Sequence, residues 1–423
     1  MDRRESIQQE AKTAYLNSNG TASTIIVGTG GGKSKIAIDI IKELKPNTIL
    51  LLSNSENLRD NNWKAEFEKF GLGSVWESNV TSECYQTVHR WNDKYFDLVI
   101  ADEIDFSLSP VYSKFFENNS WGKLLGLTGF CTEEKRVLLS FVAPICYEVS
   151  TQEMQEQGLL NKSKFIFVEF DLDISRNIKV PMKKGGEFLS SENDLYKYYD
   201  AQLTQAMISK SNAERAFALM PTPENNKKFT SAEFRFKMMA AKRKSILNNL
   251  DSSIKVTQTI LNHINSKPNN KTLVFSALVK QGAKLNQPMY SGDADISVLK
   301  KFDESESGVL CVCKKLNRGV NLQGVNYLIK ESFDGSETDF QQQHGRLMRL
   351  KPDEVAKIIV LVPYYKALVK TESKDLFGGT VVTTKMQRMP TQARKWAERM
   401  MASFDNISGE TVTVSRDYKT ITK

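Results

Sequence analysis

The stretch Thr24-Ile25-Ile26-Val27-Gly28-Thr29-Gly30-Gly31-Gly32-Lys33-Ser34 decides how this chain folds. The apolar run to Val27 predicts a buried strand, and the spacing from Lys35 to Leu44 predicts an amphipathic helix. Glycines between them let consecutive backbone N–H groups point at one anion, and a helix opening at Lys33 adds the positive end of its dipole. Strand, turn and helix together make a phosphate cradle. Gly28, Thr29, Gly30, Gly31 and Gly32 would form it, Lys33 would reach the β- and γ-phosphates of ATP, and Ser34 would hold Mg²⁺. The strict phosphate-loop pattern has glycine where this chain has Val27, and a tight turn capped by a surface lysine is the alternative. Three successive glycines are an entropically costly way to build only a turn.

A second element supports the cradle. Asp97-Leu98-Val99-Ile100-Ala101 reads as a buried parallel strand and ends in Asp102-Glu103-Ile104-Asp105. Ligands of open α/β sheets sit at the carboxyl ends of strands, so these carboxylates are expected to face a nucleotide. Asp102 is the expected Mg²⁺ partner, and Glu103 the group that orients or deprotonates the attacking water. A solvated acidic loop is the alternative, disfavoured by the apolar strand that leads into it.

With 423 residues, 40% of them hydrophobic, the chain can bury two cores of ordinary size. A net charge of +8 fits an anionic partner. Apolar runs such as Thr48 to Leu52 and Ile358 to Val362 are too short to span a bilayer, so no membrane partner is expected. Met1-Asp2-Arg3-Arg4 leads into polar residues rather than an apolar segment, which implies no secretory signal and a cytoplasmic location. Cys84, Cys131, Cys146, Cys311 and Cys313 are scattered and odd in number, as expected of reduced thiols. His89, His263 and His344 are remote from one another, and no zinc spacing exists.

Strand-like runs alternate with helical patterns from Thr24 to about Val168, through Thr48 to Leu52, the helix Glu56 to Phe70, Leu98 to Ala101, Leu124 to Leu127 and Lys164 to Val168. A second series follows at Thr272 to Ser276, Val309 to Val312, Tyr327 to Ile329 and Ile358 to Val362. Each series calls for a parallel sheet. Between them Asp171 to Asn193 reads as a polar loop, and Asp194 to Ile264 as helix broken at Pro221-Thr222-Pro223. Ala393, Trp396, Met400 and Met401 place one more helix near the C-terminus. The α/β fold is thus divided into an ATP-binding domain over 1–170, a helical linker over 171–265, a second sheet domain over 266–365 and a helical extension over 366–423.

In order and spacing these motifs resemble those of superfamily two helicases and translocases, whose two RecA-like domains are joined in one chain, and among them the compact phage and bacterial DNA types, such as branch-migration helicases and restriction-enzyme motor subunits. The resemblance runs from Gln8 to Lys351. It implies that Gln8 reads the adenine edge, a surface glutamine being the alternative. It implies nucleic-acid contacts from Ser53 and Asn54, with Leu58 and Asn62-Trp63 following, from Tyr85-Gln86-Thr87, and from Ser276 and Ser291 in the second domain. Thr128, in Leu125-Gly126-Leu127-Thr128-Gly129, would sense phosphate and signal to Asp102 and Glu103. Leu316 to Asn321 resembles the fifth motif, in which Gly319 and Asn321 would contact nucleotide. Gln342 to Arg349 resembles the sixth. Arg346 and Arg349, three apart on a helix, share a face that the resemblance aims at the γ-phosphate.

Cys313 stands where the family often has threonine, and Asn321 where many members have aspartate. Ile104-Asp105 departs from the Ala-Asp of DEAD-box RNA helicases, which tilts the expectation toward DNA. Between Lys227 and Lys255, eight basic residues face only Glu233 and Asp251; Lys242, Arg243 and Lys244 are candidates to grip DNA, and Phe229, Phe234 and Phe236 to stack on bases, packing of the joint being the alternative. The implied function is ATP-dependent, Mg²⁺-requiring movement on DNA by opening and closing of the two domains, in the cytoplasm of a bacterium or phage-infected host. Replication, repair or nuclease proteins are possible partners. An RNA remodeller and a non-cycling ATP-gated binding switch are the alternatives.

Overall fold

Leu50, Leu51, Leu52, Val99 and Ile100 are all fully buried, which a strand achieves only when both faces of its sheet are covered. They lie in a six-stranded, wholly parallel sheet in a computed structural model that describes residues 3–54, 62–182, 185–291, 297–313, 322–331, 340, 344–345, 347, 350–351, 353–374, 380–402 and 409–422. Its strands are β1 (Ala22–Val27), β2 (Ile49–Ser53), β3 (Val80–Cys84), β4 (Tyr95–Asp102), β5 (Ser120–Thr128) and β6 (Ile145–Val149), in the order β3-β2-β4-β5-β1-β6. The helix Lys33–Leu44 buries Ile36, Ala37, Ile38, Ile40 and Ile41, following the predicted apolar spacing. This sheet belongs to a compact unit made of residues 1–163 with 315–326 and 336–356.

The other unit comprises residues 164–314, 327–335 and 357–423. Its sheet contains β7 (Lys162–Asp171), β10 (Lys271–Ser276), β11 (Met289–Tyr290), β12 (Gly308–Cys313), β13 (Tyr327–Lys330), β14 (Val355–Lys374), β15 (Thr380–Pro390), β16 (Gly409–Val414) and β17 (Ile421–Thr422), while β8 (Ile178–Pro181) and β9 (Glu187–Ser190) form a separate hairpin. The order is β11-β12-β10-β13-β14-β7-β16-β17, with β15 antiparallel on the outer length of β14. The helix Asp251–Asn265 packs Val256, Ile260, Leu261 and Ile264 into one core with Val274, Cys311, Ile329 and Leu361. The helices Glu192–Leu219 and Pro223–Leu247 run back along each other as a pair. Their junction is the expected proline break: Thr222 Oγ1 accepts from the Asn225 N–H at 3.2 Å, and Pro223 opens the second helix, where a missing N–H costs nothing.

One wholly parallel sheet and a second that is parallel from β11 to β14, with antiparallel additions at β15 and β17, confirm the expected α/β fold class, and three details differ. The run Lys164 to Val168, expected in the first sheet, pairs with β16 and lies in the second. A short apolar run shows that a strand is present but not which strand it pairs with. The polar stretch after Asp171 holds the β8–β9 hairpin. The C-terminal region carries the expected helix, Gln392–Ala402, but strands β15, β16 and β17 flank it. No helix of the described residues is long and apolar enough to cross a membrane.

Candidate nucleotide-binding site

The expected motifs that follow strands β1 to β5 fall at the carboxyl edge of the six-stranded sheet. Read across that edge, β3 leads into Tyr85, β2 into Asn54, β4 ends in Asp102, β5 in Thr128, and β1 runs into the glycine turn. The phosphate cradle after β1 and the acidic pair at the end of β4 therefore flank the end of β5, although about seventy residues of chain separate them. Backbone direction alone brings them together.

In the turn, Gly32 adopts φ 92° and ψ 39°, the left-handed region, which a side chain rarely tolerates. It stands at the N-terminus of the helix Lys33–Leu44 with no side chain capping it, leaving the first N–H groups directed at the cradle. Gln8 covers the turn: its Nε2 donates to the Gly31 carbonyl at 3.2 Å, and a Cβ on Gly32 would stand 2.3 Å from that nitrogen. Lys33 Nζ reaches the neighbouring strand end, where a Cβ on Gly129 would lie 3.0 Å from it. The Ser34 hydroxyl is half-buried and has no protein hydrogen-bond partner among the described residues.

Asp102 is buried, and burial followed by the Glu103 charge pushes its carboxyl up to about 6 against the pull of Lys33, the Trp63 indole N–H and the Glu103 backbone N–H. Trp63 Nε1 donates to Asp102 Oδ2 at 3.0 Å, and the Tyr85 hydroxyl to the Asp102 carbonyl at 3.0 Å. Glu103 itself sits at φ 51° and ψ 52°, a left-handed conformation unusual for a residue with a side chain. Thr128 departs from expectation. Its hydroxyl meets Asp105 Oδ1 at 3.0 Å and Glu103 Oε2 at 3.5 Å but not Asp102, because it ends the neighbouring strand opposite the turn that follows β4. Asp105 is in turn held by Lys135 at 2.7 Å. A hydroxyl and carboxylates are hard oxygen donors of the kind Mg²⁺ prefers, so Ser34 and Asp102 fit that ion.

Gly319, Asn321, Arg346 and Arg349 lie outside the described residues, as do Leu58, Gln342 and Gln343. Residues of the sixth motif that are described pack onto the first unit. A Cβ on Gly345 would stand 2.7 Å from Thr29 Cβ, so only glycine lets this segment approach the phosphate turn. His344 meets Ser163 Oγ at 2.9 Å, and burial holds its imidazole at about 3, hence neutral.

Several expected nucleic-acid contacts need correction. Tyr85 is fully buried and acts as a strut under Asp102, whereas its neighbours Gln86 and Thr87 are exposed. Ser53 is fully buried, and Asn54 offers a buried side-chain amide with no partner among the described residues. In the second unit Ser276 is buried and bonded to Glu331, while Ser291 is half-buried. Arg243 pairs with Asp200 at 2.6 Å, Lys244 lies 5.7 Å from the Trp396 ring centroid and Lys242 5.8 Å from that of Tyr199; only Lys242 of the three is exposed. Phe229 stacks on Phe217 and Phe236 lies under Lys210, so they pack the helical pair; Phe234 is exposed. Sequence reasoning missed Trp63 as a partner of Asp102 because its hydrogen bond closes 39 residues of chain.

A strand, phosphate turn and acidic strand end on a parallel sheet define a nucleoside-triphosphate-binding fold. Residues 255–351 match the model of the helicase conserved C-terminal domain. The chain is 23% identical over 380 residues, 84% of this chain and 80% of the relative, to the DNA 3'-5' translocase XPB2 of Sulfurisphaera tokodaii. In fold it is similar to the ATP-dependent Type ISP restriction-modification enzyme LlaBIII bound to DNA, at 13% identity and a TM-score of 0.53 over 84% of this chain; it spans 27% of that enzyme's chain. It is also similar to Saccharomyces cerevisiae Dbp5 bound to RNA and ADP BeF3, at 11% identity and a TM-score of 0.55 over 96% of this chain and 89% of that one. In these likenesses the chain resembles the superfamily 2 ATP-dependent helicases and translocases, whose conserved C-terminal domain residues 255–351 match.

Proposed function

We propose that this chain hydrolyses ATP to drive movement along DNA. The carrying observation is the convergence of Lys33, Asp102, Glu103 and Thr128 at the ends of three adjacent strands, beside an uncapped helix N-terminus. In this reading the turn N–H groups and Lys33 hold the phosphates, and Gln8 closes over the turn. Asp102 and Ser34 would hold Mg²⁺, which when bound neutralises charge developing between the β- and γ-phosphates. Glu103 orients the attacking water and takes its proton, and Thr128 steadies Glu103. Arg346 and Arg349 supply positive charge to the transferring phosphoryl group, a role supported by the approach of Gly345 to Thr29. Turnover would then open and close the two units and shift their grip on the strand.

DNA is favoured over RNA by the DNA translocase that this chain resembles over most of its length. Grip mainly on phosphates makes the binding weakly selective in sequence and steeply weakened by salt. The test is steady-state ATP hydrolysis with single-stranded, duplex and branched DNA and with RNA. The proposal expects stimulation by one of the DNA forms above that by RNA; stronger stimulation by RNA would reassign the substrate, and binding without turnover would make the chain a switch.

A further inference from the structure

At the carboxyl edge of the six-stranded sheet, two groups of residues share one strand. β1, β5 and β4 end in the nucleotide site, while β4, β2 and β3 lead into Asp102, Asn54 and Gln86-Thr87. Asp102, last residue of the shared strand, is hydrogen-bonded by two buried aromatic side chains, one from the segment after β2 and one from the segment after β3. Trp63, 3% exposed, stands where the chain re-enters helix after β2 and donates to the carboxylate; Tyr85, 0% exposed, follows β3 and donates to the carbonyl. Phenylalanine would fill the space of the Tyr85 ring, and a buried indole N–H or phenol O–H needs a polar partner, which for both residues is Asp102. The two strand ends are also tied to each other, because Gln86 Nε2 donates to the Asn54 carbonyl at 3.3 Å. Beside that bond, the buried Asn54 side-chain amide has neither its nitrogen nor its oxygen satisfied among the described residues. A buried amide without partners is costly, and a ligand at this edge would relieve it.

We propose that Trp63 and Tyr85 are positioning residues that relay nucleic-acid occupancy at the ends of β2 and β3 to Asp102, aligning its carboxylate for Mg²⁺ and ATP. A carboxylate with one oxygen held by a buried N–H cannot turn about its Cβ–Cγ bond without breaking that bond. Movement of Trp63 therefore redirects the other oxygen, and movement of Tyr85 shifts the backbone beneath it. The relay rests on the ATP-site reading above.

Trp63→Phe and Tyr85→Phe in the full chain test it, with single-stranded and duplex DNA as probes. The readouts are the ratio of stimulated to unstimulated ATP hydrolysis, DNA affinity by anisotropy, binding of a fluorescent ATP analogue as Mg²⁺ is titrated, and tryptophan emission on adding DNA. Each variant should lower the stimulation ratio by at least about fivefold while DNA affinity stays within about twofold. Trp63→Phe should also raise the Mg²⁺ concentration that half-saturates analogue binding, and abolish a DNA-induced change in emission that Trp76→Phe retains. A merely structural role would lower the melting temperature and leave the ratio and the Mg²⁺ titration as they were, which overturns the relay. Should Trp63→Phe fail to fold, Tyr85→Phe, which removes one oxygen atom, decides by its ratio. A wild-type chain without stimulated hydrolysis overturns the ATP-site reading and the relay together; wild-type stimulation with unaltered variants overturns the relay alone.

Discussion

Glu103 keeps a left-handed backbone conformation that costs a residue with a side chain about 1–3 kcal/mol, and such strain collects where function over-determines geometry. Removing only its charge separates binding from chemistry. Glu103→Gln should bind ATP about as well as the wild type and turn it over roughly 10² to 10⁴ times more slowly, as read by phosphate release. A second residue-scale prediction concerns Glu331. Burial pushes its carboxyl up to about 7, against the pull of the Ser276 hydroxyl and Lys284. A raised carboxyl means the folded chain keeps a proton that the unfolded chain has already released. Stability is therefore unaffected at acid pH, falls as pH rises from the ordinary glutamate range through 7, and by pH 8 is lower by up to roughly 3 kcal/mol. Glu331→Gln should melt higher than the wild type at pH 8, with the advantage gone near pH 5. Equal melting temperatures at both pH values would show that the carboxyl titrates normally. At this scale the sequence was legible where chemistry is local: Gly28 to Ser34 and Asp102-Glu103 each sit within one turn. It misled at Tyr85 and Ser276, because a motif locates a residue at a strand end without saying which way its side chain faces.

Among elements, β4 does most to organise the site, since it neighbours both β5 and β2 and so separates the nucleotide residues from Asn54 and Gln86. The helical pair Glu192–Leu219 and Pro223–Leu247 offers a contrast between neighbouring charges. Lys242 is exposed, whereas Arg243 is half-buried against Asp200. Lys242→Glu should weaken DNA binding in anisotropy titrations and, losing only its contact with the Tyr199 ring, lower the melting temperature less than Arg243→Glu, which sets two carboxylates together. Unchanged DNA affinity for Lys242→Glu would remove this helix from the DNA-binding surface. Both helices were readable because Thr222-Pro223 both stops one and caps the next. The short strands β3 and β6 were not; in β3 the consecutive polar residues Thr81, Ser82 and Glu83 make a five-residue run that reads as well as a loop.

Over the whole molecule, two series of apolar strands were enough to predict two parallel sheets. Membership was not fixed by order along the chain: β7 precedes the helical pair yet sits between β14 and β16, a partner from the far end of the sequence. Such pairings depend on the global fold and leave no local pattern. The charge of +8 belongs to this scale as well. Affinity for DNA should fall linearly in log–log plots against salt concentration, with a slope that counts the phosphates contacted. An affinity insensitive to salt would mean that bases or apolar surface, not phosphates, hold the strand. The account as a whole stands on DNA-dependent hydrolysis at the edge that joins Lys33 to Glu103. Its most direct measurement is ATP turnover by the wild type, Lys33→Ala and Glu103→Gln, with and without DNA. DNA should accelerate the wild type while both variants stay at background; turnover by Glu103→Gln equal to the wild type would contradict the site.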